Sequence, residues 1–462
     1  MQVSSNQQRS DKVVALPENL TPARIVEIEI GNSLPWLSAF DEKTGKHYWR
    51  ARCLIRLHTY PLGIVEIPLP EEKVSPDEYA KLIWSTLHEE INAHLRQDGL
   101  QTAKGLDASG LFYSSTPGCI EEREKFLAQA PFVSVIVSTH DRPEKLSLCL
   151  NALLSLHYPQ YEIIVVDNAP SSSATFDFMH ETYQNASQIR YLRENRKGLS
   201  WARNCGLKEA RGSILAFTDD DVVVDPYWLV ELVRSFNLAE NIVCVTGTIL
   251  PLEIETPEQI WFEEYGGFNK GFTPHIFDMK EHHPKTPLYP YTAGRFGTGA
   301  SIAFTLDYLQ KVGGFDTALG IGTPARGGED LAAFFQAIIS GYKLVYTPSA
   351  LLYHPHYRNY PGLRNQIYGY GVGLTAYLTK ILLDRPLLLL NFITKMPYGF
   401  YFILSNRSSK NRKKSTYYPK ELTAVERKGM LHGPLAYMAS RRALSRAATI
   451  ETGADSLQAK EI

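Results

Sequence analysis

From Phe132 onward, short apolar runs alternate with amphipathic stretches, and this alternation constrains the fold more than any other feature of the chain. The runs are "VSVIVS" (133–138), "YEIIVVD" (161–167), "IRYLR" (189–193) and "SILAFT" (213–218). Between them lie a helical stretch over 143–156, a second, more polar one, and a third over 198–210 that Gly212 closes. Strands alternating with helices of about 10 to 15 residues predict an α/β fold: a Rossmann-like, mostly parallel sheet with helices on both faces. Ligands of such sheets bind beyond the carboxyl ends of the strands. Three polar clusters fall there: Ser138-Thr139-His140-Asp141, Asp167-Asn168 and Asp219-Asp220-Asp221.

The last cluster is the most demanding. Two like charges about 4 Å apart repel by about 4 kcal/mol at an effective dielectric near 20. A D-x-D arrangement at a strand end supplies hard oxygen ligands, which suit Mg²⁺ or Mn²⁺ against the phosphates of a ligand. A solvated loop with one acid capping the next helix would also place acids here. Asp225-Pro226 already offers that cap as N-cap and N1, leaving 219–221 without a structural task. On this reading the repulsion is offset only when metal and ligand are bound. A second acidic pair, Glu329-Asp330, opens a helix after Gly327-Gly328, where the helix dipole alone would favour acids. His354 and His356 end a further apolar strand, a position where histidine is often merely structural.

The flanks read differently. An N-terminal α+β domain is expected over 1–125, after a polar tail of about a dozen residues. It holds two strands around a turn at Tyr60-Pro61-Leu62-Gly63 and a helix started by Ser75-Pro76 and stopped by Gly99. The α/β domain is expected over 131–360 and a helical region over 361–445, with 446–462 an unstructured tail. Within the helical region, "RPLLLLNFITKMPYGFYFIL" (385–404) is strongly apolar but carries Asn391, Lys395 and Pro397, and Lys410, Arg412, Lys413 and Lys414 follow. That pattern fits either a helix lying on an anionic membrane through 385–414 or a helix docked on the core.

Composition excludes some partners. The 48 basic and 49 acidic residues give a formal net charge of −1, so no overall field points to nucleic acid. Five cysteines without a CxxC pair argue against a disulfide framework or a zinc site and suit a reducing cytoplasm. The opening "MQVSSNQQRSDK" lacks an apolar run, so no secretory signal is expected.

The stretches "VSVIVSTHDRPEKLSLCLNALLSLHYPQYEIIVVDNAPS", "NRKGLSWARNCGLKEARGSILAFTDDD", "GTGASIAF" and "GGED" occur in the order and at the spacing of a known family. Over about residues 132–356 the chain resembles the family 2 glycosyltransferases, which have the A-type nucleotide-sugar fold. The resemblance implies metal-dependent, inverting transfer of a sugar from a nucleoside diphosphate sugar to a hydroxyl of a glycan, lipid-linked or other acceptor. It implies that Ser138 and His140 meet the nucleotide, and that Asp167 and Asn168 bind base and ribose. Arg203 and Asn204 would support the diphosphate, with Asp220 beside it. Asp219 and Asp221 would hold Mg²⁺ or Mn²⁺, His354 would add a metal or phosphate contact, and Asp330 would be the base with Glu329 beside it. Asn168 stands where the family often has a second acid, and Ser301 where asparagine is common. No Q-x-x-R-W sequence or array of long apolar segments is present, which favours single additions over processive synthesis.

Two other readings make different demands. A nucleotidyltransferase on the same fold calls for a glycine-rich loop after the first strand, and "STHDRPEKL" has none. A non-catalytic sugar-binding protein is expected to have lost Asp221 or Asp330, and both are present. The aromatic-rich insert between Pro251 and Gly297 is expected to line the acceptor side. A peripheral place on the cytoplasmic face of a membrane fits these expectations together.

Overall fold

The computed structural model describes residues 21–42, 44–70 and 72–458. The polar N-terminal tail expected from the sequence lies outside them.

Strands β1 (Arg24–Glu29), β2 (Arg50–Leu57) and β3 (Tyr60–Pro68) form a three-stranded sheet, backed by helix α1 (Pro76–Gln97). Ser75 and Glu78 form a reciprocal capping box at the start of α1, satisfying two of the otherwise orphaned N–H groups. The hairpin turn is not at 60–63 as expected. It is at His58-Thr59, both with positive φ (53° and 72°), where the Glu29 carboxylate accepts from both backbone N–H groups. That carboxylate holds a left-handed pair that sequence alone does not favour. Helix α2 (Gly118–Leu127) leads on to the next unit.

The large sheet begins with β4 (Val133–Thr139), α3 (Pro143–Leu154), β5 (Tyr161–Asn168), α4 (Ala174–Tyr183), β6 (Ile189–Glu194), α5 (Leu199–Glu209) and β7 (Ile214–Asp219). Then follow β8 (Val223–Val224), α6 (Trp228–Arg234), β9 (Ile242–Pro251), α7 (Pro257–Tyr265), β10 (His275–Phe277), β11 (Ile302–Thr305), α8 (Leu306–Val312), α9 (Glu329–Ile339) and β12 (Lys343–His354). Strands β6, β5, β4 and β7 lie side by side and parallel. Beyond β7 the sheet is mixed, since β11 runs antiparallel to both β7 and β9 while β9 and β12 run parallel.

Side chains alternate between two cores because strand neighbours point to opposite faces. Val133, Val135 and Val137 meet Leu146, Leu150 and Leu153 of α3 on one face. Ile136, Ile164, Leu215 and Phe217 join Ala202 on the other. Each such buried side chain contributes about 1.5–3 kcal/mol. A Cβ at Gly206 would sit 2.6 Å from Ile136, so only glycine lets α5 lie this close to β4, and Arg203 stands one turn earlier.

Asp225 does not serve as the N-cap of α6, which starts at Trp228 with Tyr227 as its cap. Instead, one Asp225 carboxylate oxygen accepts from Tyr227 N (2.9 Å) and the other from Arg56 Nη1 (2.6 Å). The buried Arg56 also reaches Glu27 (2.8 Å), so the N-terminal unit is anchored by charge to the large sheet.

Three helices follow: α10 (Tyr360–Asp384), α11 (Leu388–Leu404) and α12 (Lys420–Gln458). Helix α12 continues through most of the tail expected to be unstructured, because 440–458 is rich in alanine, leucine and arginine and has no proline. Residues 459–462 lie outside the described region. None of α11 is fully buried; Leu390 is 74% exposed, and Leu387, which caps the helix, 95%. Among the described residues, no helix is long and apolar enough to cross a membrane.

Candidate active site

The three acids that follow the core of β7 do not share one environment. Asp220 turns inward, accepting from Thr139 Oγ1 (2.7 Å), with Arg142 Nη1 at 3.4 Å. Burial pushes its carboxyl up to about 6 against the pull of Arg142 and Thr139. Asp221 has Lys145 Nζ at 3.1 Å, Arg142 Nη1 at 3.5 Å and His354 Nε2 at 3.6 Å. Burial raises its carboxyl, but His354 and Lys145 outweigh burial and the net shift is downward. Asp219 is a third exposed, with Arg203 Nη2 at 3.8 Å. Its carboxyl is raised first by its depth in the cleft, with Arg203 and His354 opposing and Asp221 and Asp330 adding. The repulsion within 219–221 is therefore offset by the protein itself, contrary to the expectation that only bound metal and ligand would do so. Arg142 and Lys145 come from the start of α3, which the β4–α3 connection brings to the strand ends, and Arg203 comes from α5.

Arg203 joins this cluster to the second acidic pair. It is 2% exposed, and it donates to Glu329 Oε1 (3.2 Å) and to the Gly299 carbonyl (2.9 Å). Glu329 is buried and its Oε2 has no hydrogen bond. Burial, reinforced by Asp330, pushes its carboxyl up to about 7 despite Arg203. Asp330 is only half-buried, and Gly299 N donates to its Oδ2 (2.9 Å). Gly328, at φ 88°, makes the left-handed turn that starts α9 and sets the pair side by side, one acid inward and one toward the cleft.

On the other side of β4 the expected nucleotide residues divide. Asp167 is fully buried: Tyr191 Oη donates to its Oδ2 (2.8 Å), while Oδ1 has no partner. Burial raises its carboxyl. Ser138 pairs in register with Asp219 on one side and Val166 on the other, at the same sheet edge. His140 Nδ1 lies 2.7 Å from the Asn168 carbonyl. Two side chains do not join the site as expected. Asn168 accepts from Gly198 N (2.9 Å) and donates to the Arg196 carbonyl (2.8 Å), clamping the loop before α5. Asn204 forms a two-way clamp with the backbone of Phe315 (2.8 Å each way). Both amides satisfy backbone groups that would otherwise be stranded. Ser301 is buried and accepts from Trp228 Nε1 (2.9 Å), so it belongs to the core.

Sequence reasoning placed Thr139 at the strand end without a partner, and missed Arg142 and Lys145. The available signal was a helix start at Pro143, whose first turn must face the strand ends. It also missed Lys270, whose ammonium burial lowers to about 8 against the opposing pull of Asp330 and Glu263. Of the insert's aromatics, Phe268 lies 5.1 Å from the His354 ring, while Phe262 packs on His356 at 4.5 Å. The first edges the cleft and the second supports it from behind.

Asp219, Asp221 and His354 are donors of the chemical type that a hard divalent cation takes, and both Asp221 and His354 act electrostatically on Asp219. His354 Nδ1 is 2.7 Å from the Pro355 carbonyl, so in the neutral ring Nδ1 carries the proton and Nε2 presents its lone pair to Asp221 Oδ1. The imidazole and the carboxylate face each other across a gap that a proton or a divalent cation satisfies, and carboxylates with one imidazole suit Mg²⁺ or Mn²⁺.

Residues 134–296 match the family model described as glycosyl transferase family 2. The chain is similar to a glucosyl-dolichyl phosphate glucuronosyltransferase of Haloferax volcanii, with 25% identity over 195 residues, 41% of this chain and 57% of that one. It is also similar to the glycosyltransferase AglE of the same organism, with 36% identity over 104 residues, 21% of this chain and 33% of that one. A solved mannosyltransferase from Pyrobaculum calidifontis, in complex with GDP-Man and Mn²⁺, aligns over 72% of this chain and 86% of its own with 18% identity and a TM-score of 0.40. The chain thus spans 57% and 33% of the lengths of the two Haloferax relatives. The segment that matches glycosyl transferase family 2, residues 134–296, contains the β4, β5 and β7 strand ends and Arg203.

Proposed function

We propose that this protein transfers a sugar from a nucleoside diphosphate sugar to an acceptor hydroxyl, with inversion at the anomeric carbon and with Mg²⁺ or Mn²⁺ bound at Asp219, Asp221 and His354. The observation that carries the reading is the convergence of Asp219, Asp221 and Asp330 on one cleft, with Arg203 linking the two acidic clusters. The cation, when bound, supplies Lewis-acid neutralisation of the departing diphosphate. Asp167 lies buried under this edge with one carboxylate oxygen unpartnered, and Ser138 and His140 border the edge where the nucleoside would sit.

Asp330 is the base in this account. It faces the cleft, while Glu329 is held behind it by Arg203 and positions the arginine. The acceptor hydroxyl gives its proton to the Asp330 carboxylate as its oxygen bonds to the anomeric carbon. The bond from that carbon to the diphosphate breaks, and the nucleoside diphosphate leaves. Direct displacement of this kind inverts the centre. A positioned carboxylate base contributes about 10²- to 10⁴-fold.

A glycan or lipid-linked acceptor is favoured, since the name of one relative specifies a dolichyl phosphate carrier. The exposed apolar residues of α11 would then hold the protein on the cytoplasmic face of the membrane that carries the acceptor. Nucleoside diphosphate release from a panel of nucleotide sugars, with and without Mn²⁺, tests the reading. It fails if none is turned over or bound.

A further inference from the structure

Away from the cleft, four potential ligands converge in the N-terminal unit. His58 comes from the β2–β3 turn, His94 from the last turn of α1, Asp98 from its C-cap, and Cys119 from the first turn of α2. Their donor atoms all lie within 4.8 Å of one another. Asp98 Oδ2 is the centre, with His58 Nδ1 at 2.5 Å, His94 Nε2 at 3.2 Å and Cys119 Sγ at 3.2 Å. The side chains of His58, His94 and Asp98 are each at least nine-tenths buried.

Hydrogen bonding does not account for this cluster. A carboxylate oxygen has two in-plane lone pairs, yet three donor atoms press on Oδ2. His94 is the one left out: its Nε2 is buried and off the line of any hydrogen bond. The other Asp98 oxygen is already taken by Cys119 N (3.0 Å), leaving Oδ2 as a single ligand atom.

We propose that His58, His94, Asp98 and Cys119 bind one Zn²⁺ as a closed structural site. Two neutral imidazoles, one carboxylate and one thiolate are four ligands whose two negative charges balance the ion, and the thiol proton is released on binding. A tetrahedral site with bonds of about 2.0–2.3 Å needs only small movements from the observed spacing. The thiolate selects a softer ion than the all-oxygen-and-imidazole cleft does. The cysteine spacing concealed the site because only one of its ligands is a cysteine. The ion would tie the hairpin turn and the end of α1 to α2. From α2, Arg123 continues to Thr59 Oγ1 (2.9 Å) and stacks 4.0 Å from the Tyr227 ring of the catalytic domain.

The test is metal analysis of the untagged full chain, with Co²⁺ replacement read by absorption. The expected result is about one zinc per chain and a thiolate-to-cobalt charge-transfer band. Cys119→Ser loses the band, and His94→Gln lowers the zinc content at least about tenfold. Asp221→Ala keeps both. A strong chelator lowers the wild-type melting temperature and leaves that of Cys119→Ser unchanged. Should the variants fail to fold, the wild-type measurements alone decide. Wild type with no zinc, no cobalt band and no melting shift on zinc addition would overturn the proposal and leave a hydrogen-bonded polar cluster. Zinc that Asp221→Ala removes and Cys119→Ser retains would overturn it too.

Discussion

Arg203 and Glu329 form an ion pair at 3.2 Å, both buried behind the cleft, from helices separated by more than a hundred residues of chain. Because Arg203 also holds the Gly299 carbonyl and neighbours Asp219, it links the end of β7 to the start of α9. Removing one partner of a buried pair leaves the other uncompensated, at a cost of about 3–5 kcal/mol. Arg203→Met is therefore expected to lower the urea midpoint strongly, whereas Arg142→Met, at a half-exposed side chain, is expected to change it little. Equilibrium unfolding of the two variants checks this.

Glu329 gives the fold a pH dependence of definite sign. Its carboxyl is raised from the ordinary glutamate range to about 7, so the folded state holds the proton more tightly than the unfolded chain does. Stability from this group is thus present below the unfolded value and falls as pH rises through about 7. Glu329→Gln should flatten that slope. Melting curves of both proteins from pH 5 to 8 measure it, and equal slopes would contradict the assignment.

Much of this site was legible because strand ends and helix starts are local. The alternation after Phe132 fixes which edge of the sheet carries Ser138, Asp167 and Asp219–Asp221, and a glycine pair announces Glu329-Asp330. What was not legible depends on orientation at long range. Asn168 and Asn204 lie on the expected elements but point at backbone groups that appear only once the loops are folded. The antiparallel insertion of β11 depends on a partner more than ninety residues away (Ile214 with Thr305), and a four-residue apolar run carries no direction. The basic cluster after α11 was also partly misleading. Lys410 pairs with buried Glu426, and Lys414 donates to Thr423 Oγ1 (3.0 Å), leaving Arg412 and Lys413 exposed.

For that reason the membrane prediction rests on α11 more than on the bases. The full chain should float with anionic liposomes, and replacing Leu387 and Leu390 by aspartate should abolish flotation without altering the melting temperature, since both side chains are largely exposed. Retention of both proteins in the soluble fraction at low salt would mean that α11 does not meet lipid.

Asp330→Asn separates chemistry from binding. The amide keeps the shape and still accepts from Gly299 N, so affinity for the donor should be unchanged. Turnover should fall at least about a hundredfold. If Glu329→Gln is inactive at every pH and Asp330→Asn retains most activity, the base has been assigned to the wrong acid.

The central claim is that Asp219 and Asp221 bind the donor's diphosphate through a divalent cation. Calorimetric titration of wild type and Asp221→Ala with nucleoside diphosphates, in Mn²⁺ and in chelator, tests it most directly. Wild-type affinity is expected to be at least about tenfold weaker in chelator, and the variant to bind weakly in both conditions. Wild-type affinity that is the same with and without the metal would contradict it.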